Sequence, residues 1–188
     1  MKRILICDDE QLIRSSLKAM LKGLGFTDII ECSDGEAAVR TAFDMLPEIA
    51  ILDVSMPKKD GVTAAAEIRK KLKIPIVFLT ACYDPETIDR AKKAGISAFI
   101  TKPLREQDLW PAIEMACAHT DEVESLRGEV DDLKETIENR KVIEKAKGVL
   151  MKSHNLSEPD AFRRMQKLAM DKRKSLRQVA EAILLTEG

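Results

Sequence analysis

The chain has 188 residues, 45% of them hydrophobic, and its 31 Lys and Arg against 32 Asp and Glu leave a net charge of −1. That gives room for one large domain or two small ones with a packed core, and a bulk charge that names no partner. No apolar run approaches the roughly 18 residues of a membrane span, and the four apolar residues after Met1-Lys2-Arg3 are too few for a signal peptide; the four cysteines (Cys7, Cys32, Cys82, Cys117) form no C-x-x-C pair, so a soluble cytoplasmic protein with ordinary thiols is expected.

The first apolar run, Arg3–Cys7, ends on Asp8-Asp9-Glu10. Leu12, Ile13, Leu17, Met20, Leu21 and Leu24 then keep helical spacing, and Gly25 closes the helix as a C-cap glycine does. A second strand is expected at Asp28–Cys32 and a helix over Asp34–Leu46. Ile49–Leu52 lies between Pro47 and Pro57, has strand length rather than helix length, and ends on Asp53 where strand gives way to loop. Asp60-Gly61 reads as a turn before a helix over Val62–Leu72. Strands at Ile76–Thr80 and Ala98–Thr101 flank a helix over Pro85–Lys93 with Gly95 behind it, and a last helix follows Pro103. This strand–helix alternation predicts an α/β fold, a parallel sheet covered on both faces. Chemistry in such sheets collects at the carboxyl ends of the strands. Asp8, Asp9 and Asp53 on neighbouring strand ends would repel one another unless a cation sat among them, and oxygen-only ligands suit Mg²⁺.

Asp8/Asp9, Asp53, Thr80 and Lys102 all fall at strand ends. Taken singly, Asp8-Asp9 also reads as a strand-end turn or helix cap, Thr80 as a cap, Lys102 as a surface lysine and Phe99 as core; their joint arrival is what carries weight. Residues 1–118, through C-D-D-E at 7–10, L-D-V-S-M-P-K-K-D-G at 52–61, L-T-A at 79–81 and A-F-I-T-K-P at 98–103, resemble a response-regulator receiver domain of two-component signalling. The resemblance implies a five-stranded, doubly wound, flavodoxin-like sheet and a phosphoacceptor rather than an enzyme. It makes Asp53 the nucleophile toward a histidine kinase's phosphohistidine, and Asp8, Asp9, Asp53 and the Ser55 backbone carbonyl the Mg²⁺ site. Lys102 then pairs with the Asp53 carboxylate and later with phosphoryl oxygens. Thr80 and Phe99 act as the switch, and Lys102-Pro103 is a cis peptide. Cys82 sits where receivers vary and where phosphoryl lifetime is tuned.

Trp110-Pro111 is expected to interrupt the start of the last helix, and no further proline occurs before Pro159. Leu109, Ala112, Ala116, Val123, Leu126, Val130, Leu133 and Ile137 fit a 3,4 heptad in which His119 takes a core position, and Gly128 is a weak point. Residues 121–138 carry eight acidic residues against Arg127 and Lys134. A coiled-coil linker over 119–138, and with it a homodimer promoted by phosphorylation, is the expectation; a solvated helix packing on its own chain is the alternative.

The heptad fails after Ile137, and Val142, Ile143, Ala146, Val149 and Leu150 begin the broader face of a small bundle. One further helix opens at Ser157-Glu158-Pro159-Asp160 with Ala161, Phe162, Met165, Leu168 and Ala169 inward; another opens on the capping box Ser175–Gln178. Charge reverses here: Arg140–Arg177 holds twelve Lys and Arg against four Asp and Glu, a nucleic-acid footprint. Through I-x-x-R-K-V-I-E-K-A-K-G-V-L-M at 137–151, L-S-E-x-x-A-F-R-R-M at 156–165, L-A-M at 168–170 and L-R-Q-V-A-E-A-I at 176–183, residues 139–188 resemble an ANTAR domain, a three-helix RNA-binding antiterminator output. The resemblance implies binding to paired RNA hairpins, so that a terminator cannot form. The contact pool is Arg140, Lys145, Lys147, Arg163, Arg164, Lys167, Lys172, Arg173 and Lys174, with Phe162 as core, His154 at a helix end, and Gly148 admitting a close helix or RNA approach. A DNA-binding response regulator and a coiled-coil signalling adaptor remain as alternative functions.

Overall fold

The computed structural model describes residues 3–81, 89, 90, 95 and 98–187, in two compact units, Met1–Ser125 and Leu126–Gly188. Apart from Asp89 and Arg90, the helix expected over Pro85–Lys93 lies outside the described residues, as does Cys82.

In the first unit five parallel strands, β1 (Arg3–Cys7), β2 (Asp28–Cys32), β3 (Ile49–Asp53), β4 (Ile76–Thr80) and β5 (Ala98–Thr101), line up in the order β2-β1-β3-β4-β5. Side chains alternate across a strand, so each run divides between two cores. Ile4, Ile6, Ile49, Ile51, Val77, Leu79 and Ile100 pack with Leu17 and Leu21 of α1 (Gln11–Gly23) and with Leu109, Ala112, Ile113 and Ala116 of the helix α4 (Glu106–Ser153). Leu5, Cys7, Ala50, Leu52, Ile76 and Phe78 pack on the other side with Ala38 and Ala42 of α2 (Gly35–Met45) and Ala64, Ala65 and Ile68 of α3 (Gly61–Lys71). Two covered faces explain why the central strands β1, β3 and β4 read as nearly unbroken apolar runs, while the edge strand β2 carries Asp28 and Glu31.

Local chemistry sets the ends. Past α1, Gly25 takes φ +92°, its amide bonds to Lys22 O and that of Phe26 to Leu21 O, the paired bonds of a Schellman ending. Asp34 caps α2 by accepting from the Ala37 amide, and Asp60 caps α3 by accepting from the Thr63 amide at 3.0 Å. Gly35 and Gly61 are close-approach positions: a Cβ at Gly35 would lie 2.1 Å from Lys59 O, and one at Gly61 1.9 Å from Asp53 O.

Two expectations about α4 fail. Pro111 does not interrupt it; at the sixth residue Pro111 removes one i→i−4 bond, to Gln107, while Leu109, Ala112 and Ile113 stay buried around it. Nor does His119 enter a core. A helix lying on a sheet keeps 3.6-residue spacing, so 109, 112, 113, 116 and 120 turn inward. Thr120 is the buried polar residue, its hydroxyl donating to Ala116 O at 2.8 Å, and His119 is exposed. Leu109, Ala112 and Ala116 therefore belong to the sheet's core rather than to a coil seam.

The second unit contains the rest of α4 with α5 (Glu158–Lys172) and α6 (Leu176–Glu187). Ala146, Leu150, Ala161, Met165, Val179, Ala180 and Ile183 form its core. The Ser175–Gln178 capping box is present: Ser175 N donates to Gln178 Oε1 at 3.1 Å and Gln178 N to Ser175 Oγ at 3.2 Å. One side chain departs from expectation. The inward line of α5 runs through Ala161 and Met165, and Phe162, about 100° round the helix, is exposed. A Cβ on Gly148 would meet nothing within 4 Å among the described residues, so of the two approaches expected there the one by a helix is not made within the described part of the chain.

Candidate functional site

The sheet reverses its winding between β1 and β3: the chain steps outward from β1 to β2, then returns to the far side of β1. The crevice at such a switch point is where α/β sheets place their ligands. Asp8 and Asp9 leave β1 there, and Asp53 closes β3 beside them. One carboxylate oxygen from each of the three lies within 4.8 Å of the others.

Asp8 and Asp53 are buried, Asp9 exposed. Lys102, just past β5, reaches across with Nζ 2.8 Å from Asp8 Oδ2, 3.0 Å from Asp53 Oδ1 and 3.5 Å from Glu10 Oε1. Its backbone amide is held by Thr80 O at 2.8 Å, and the Lys102-Pro103 peptide is cis. Asp53 Oδ2 accepts from the Ser55 amide at 3.0 Å, leaving Oδ1 toward the lysine. Asp8 Oδ1 accepts from the Glu10 amide, whereas buried Asp8 Oδ2 has the Lys102 ion contact without a well-formed hydrogen bond. Arg14 fixes the backbone here, donating to Asp8 O at 2.8 Å and Asp9 O at 3.2 Å.

Burial pushes the Asp53 carboxyl up; the Lys102 ammonium works against that rise and Asp8 adds to it. Burial alone would push Lys102 down, but the Asp8 and Asp53 carboxylates outweigh it and hold the ammonium above its ordinary value. One cation thus faces two buried anions, and Asp9 brings a third at the rim. A hard cation ligated at about 2.0–2.1 Å fits between oxygens so spaced after a small contraction, and the under-bonded Asp8 oxygen gives it a ligand.

Thr80 ends β4 one residue past Leu79, which pairs with Asp53, and is itself buried. Phe99 on β5 is half buried, its ring 5.9 Å from that of Phe78. The five pocket positions Asp8, Asp9, Asp53, Thr80 and Lys102 therefore do meet at one edge of the sheet. Sequence reasoning missed Glu10 and Arg14; the acidic run at 8–10 was the available signal for Glu10, and nothing marked Arg14.

On the second unit Arg140, Lys145, Arg163, Arg164, Lys167, Lys172, Arg173 and Lys174 are exposed. Lys147 is not. Its ammonium lies 2.6 Å from Glu144 and 2.7 Å from Glu158, and those two carboxylates hold it above its usual value. It ties α4 to the first turn of α5 and presents little charge outward. His154 follows the end of α4, its amide bonded to Leu150 O.

The response regulator receiver domain family matches residues 4–114 and the ANTAR domain family residues 131–184. The transcriptional regulatory protein PdtaR of Mycobacterium tuberculosis is 44% identical over 187 residues, spanning 100% of this chain and 91% of that protein. The chain belongs to the receiver–ANTAR response regulators. It is a two-component response regulator whose output is an RNA-binding antiterminator domain. A probable transcriptional regulator ycf27 of Guillardia theta is 34% identical over 119 residues, 63% of this chain and 46% of that protein. Among solved structures, the signal receiver domain of a modulated diguanylate cyclase from Desulfovibrio desulfuricans aligns with TM-score 0.59 and 34% identity over 64% of this chain and 97% of its own. The receiver domain of the NarL response regulator from M. tuberculosis aligns with TM-score 0.56 and 27% identity over 61% of this chain and 95% of its own. A receiver implies a histidine kinase as donor, and an ANTAR output implies RNA as target. No helix among the described residues is long and apolar enough to cross a membrane.

Proposed function

We propose that Asp53 is the phosphoacceptor of this receiver–ANTAR regulator and that its phosphorylation licenses the ANTAR domain to hold paired RNA hairpins through a dimer. The observation that carries this is the pocket itself: Asp53 Oδ1 is 3.0 Å from Lys102 and within one cation's span of Asp8 and Asp9. Asp8, Asp9, Asp53 and the carbonyl of Ser55 would hold Mg²⁺, which when bound supplies positive charge between carboxylate and incoming phosphoryl group. Phosphoryl transfer needs alignment and charge neutralisation more than acid–base help, and this chain's residues provide both. The Ser55 amide fixes one oxygen of Asp53, so the other is presented for attack. Lys102 exchanges its pairing with that oxygen for one with the phosphoryl oxygens. Thr80 donates its hydroxyl to the new acceptor, and Phe99 turns further inward as it does. A phosphoryl group adds roughly −1.5 to −2 charges and new acceptors, enough to bias a two-state element.

The working division is a receiver over 1–118, a coiled-coil linker over 119–138 and an ANTAR domain over 139–188, in a cytoplasmic protein whose kinase delivers the phosphoryl group. Arg140, Lys145, Arg163, Arg164, Lys167, Lys172, Arg173 and Lys174 form the phosphate-facing surface of the output, with Lys147 bracing it from within. Exposed Phe162 gives this surface an aromatic on which an unpaired loop base can stack. The test is solution mass and RNA affinity with and without beryllofluoride and Mg²⁺. Asp53→Asn should remove the response to beryllofluoride, and a two-hairpin RNA should bind more tightly than duplex DNA of equal length. Equal binding to both nucleic acids, or a response that survives Asp53→Asn, refutes the reading.

A further inference from the structure

Glu10 breaks a rule that neighbouring helices keep. It stands at the N-cap of α1, yet its side chain makes no bond to the helix, whereas Asp34 and Asp60 each turn a carboxylate onto the third amide of α2 and α3. Ser, Thr, Asp or Asn is the residue type that satisfies first-turn amides from this position. No acidic residue in the first turn of α1 compensates for the missing cap. The Glu10 carboxylate goes instead to Lys102, with Oε1 3.5 Å from Nζ. Its backbone also serves the pocket, the amide donating to Asp8 Oδ1 at 2.9 Å. A local rule broken in favour of a contact at a pocket marks a residue placed for function.

Lys102 has more partners than it can keep. Asp8 Oδ2 at 2.8 Å and Asp53 Oδ1 at 3.0 Å hold it inside, where its side chain is 14% exposed; Glu10, 62% exposed, meets it at the rim. The two inner partners are also candidate metal ligands, grouped with Asp9 within 4.8 Å. An ammonium and a divalent cation cannot share Asp8 and Asp53 without like-charge repulsion, so Lys102 must give ground when the metal is bound. Glu10 already touches Nζ and stands outside the group of three.

We propose that Glu10 is a positioning residue that takes up Lys102 when a divalent cation is bound, keeping the ammonium at the pocket for the phosphoryl oxygens. This rests on the metal-assisted acceptor pocket proposed above and gives a part to a residue outside it. Glu10 needs reach as well as charge. At 3.5 Å its contact with Nζ is already long for a hydrogen bond, and a side chain one methylene shorter does not span the gap. A shorter carboxylate here turns to the amides of α1, as those of Asp34 and Asp60 do on their own helices.

The test titrates the full chain with Mg²⁺ by calorimetry, and with beryllofluoride at saturating Mg²⁺. Glu10→Gln should weaken Mg²⁺ binding about fivefold, the scale of one exposed ion pair. It should not weaken beryllofluoride binding, because the charge removed from the rim also repels that anion. Glu10→Asp keeps the charge and loses the reach. It should weaken Mg²⁺ binding as much as Glu10→Gln, with a urea midpoint no lower than the parent's, since the shorter side chain can cap α1. Parental Mg²⁺ affinity in Glu10→Gln overturns the proposal. Parental affinity in Glu10→Asp beside a loss in Glu10→Gln also overturns it, because the rim would then need only a charge. A loss of Mg²⁺ affinity accompanied by a lowered urea midpoint, or by an equal loss of beryllofluoride binding, overturns it as well and makes Glu10 a prop for the pocket's shape. A parent chain that binds no Mg²⁺ removes the pocket reading itself, a result distinct from the other three.

Discussion

Lys102→Met isolates the electrostatics of the pocket. The substitution keeps the aliphatic stem and deletes the charge that lies 2.8 Å from Asp8 and 3.0 Å from Asp53. The lysine side chain is 14% exposed and those of its two partners 0% and 5%. Breaking a buried pair from one side costs about 3–5 kcal/mol, and the water-accessible rim at Asp9 argues for the lower figure, about 3 kcal/mol in the metal-free protein near neutral pH. With a urea dependence of roughly 1–3 kcal/mol per molar, that lowers the unfolding midpoint by about 1–3 M. Trp110 is the sole tryptophan and lies in the first unit, so its fluorescence follows that unit. The pH dependence has a definite sign. Asp53 is already raised above its ordinary value in the folded chain, chiefly by burial, and losing Lys102 raises it further. A carboxyl so raised destabilises the fold increasingly as pH climbs from the unfolded value toward the folded one, and does no harm below both. The gap between Lys102→Met and the parent chain should therefore narrow between neutral and acid pH, as the pH falls through the raised value of Asp53, and on adding Mg²⁺. A loss of the same size at both pH values and with or without Mg²⁺ would show that Lys102 acts by packing, and the electrostatic account of the pocket would fail.

Leu150→Ala empties a fully buried position in a seven-residue core and should cost about 3 kcal/mol, abolishing RNA binding while Trp110 unfolding stays unchanged. Asp34→Ala should cost about 1–2 kcal/mol, because Asp34 caps α2 and pairs with Lys58 at 2.8 Å. Lys58 and then the Ala37 amide hold Asp34 below its ordinary value, so its contribution is present above the unfolded pKa and lost as pH falls through the folded one; urea titrations at neutral and acid pH should show the difference between the two chains shrinking. Arg164→Ala should reduce the slope of log affinity for RNA against log salt by about 0.7, whereas Lys147→Met should weaken binding with little change of slope, because its charge is already spent on Glu144 and Glu158. Gly61→Ala should yield no folded receiver by near-ultraviolet circular dichroism, since the new methyl would lie 1.9 Å from Asp53 O.

The receiver half was legible because its signals are redundant. Strands buried on both faces have no option but unbroken apolar runs, and each pocket residue ends one of them or follows it directly, so Asp8, Asp53, Thr80 and Lys102 could be placed together from the sequence. The errors lie where one pattern admits two partners. The 3,4 spacing of 109–137 is shared by a helix on a sheet and a helix in a coil, and only the packing divides it, giving Thr120 rather than His119 to the core. Lys147 looks like its basic neighbours until Glu158, eleven residues on, is seen to reach it. Phe162 is a large apolar residue beside the correct face of α5, and one position of rotation sends it outward.

The two close-approach glycines bear on how a change at Asp53 is felt elsewhere. The segment 54–60 is wedged between the first turn of α2, at Gly35 against Lys59 O, and the first turn of α3, at Gly61 against Asp53 O. At neither point is there space for a methyl group, so the segment has no slack in which to absorb a shift. Whatever displacement a new group on Asp53 imposes must be passed along the backbone to both helix starts, and two hydrogen atoms set the tightness of that linkage.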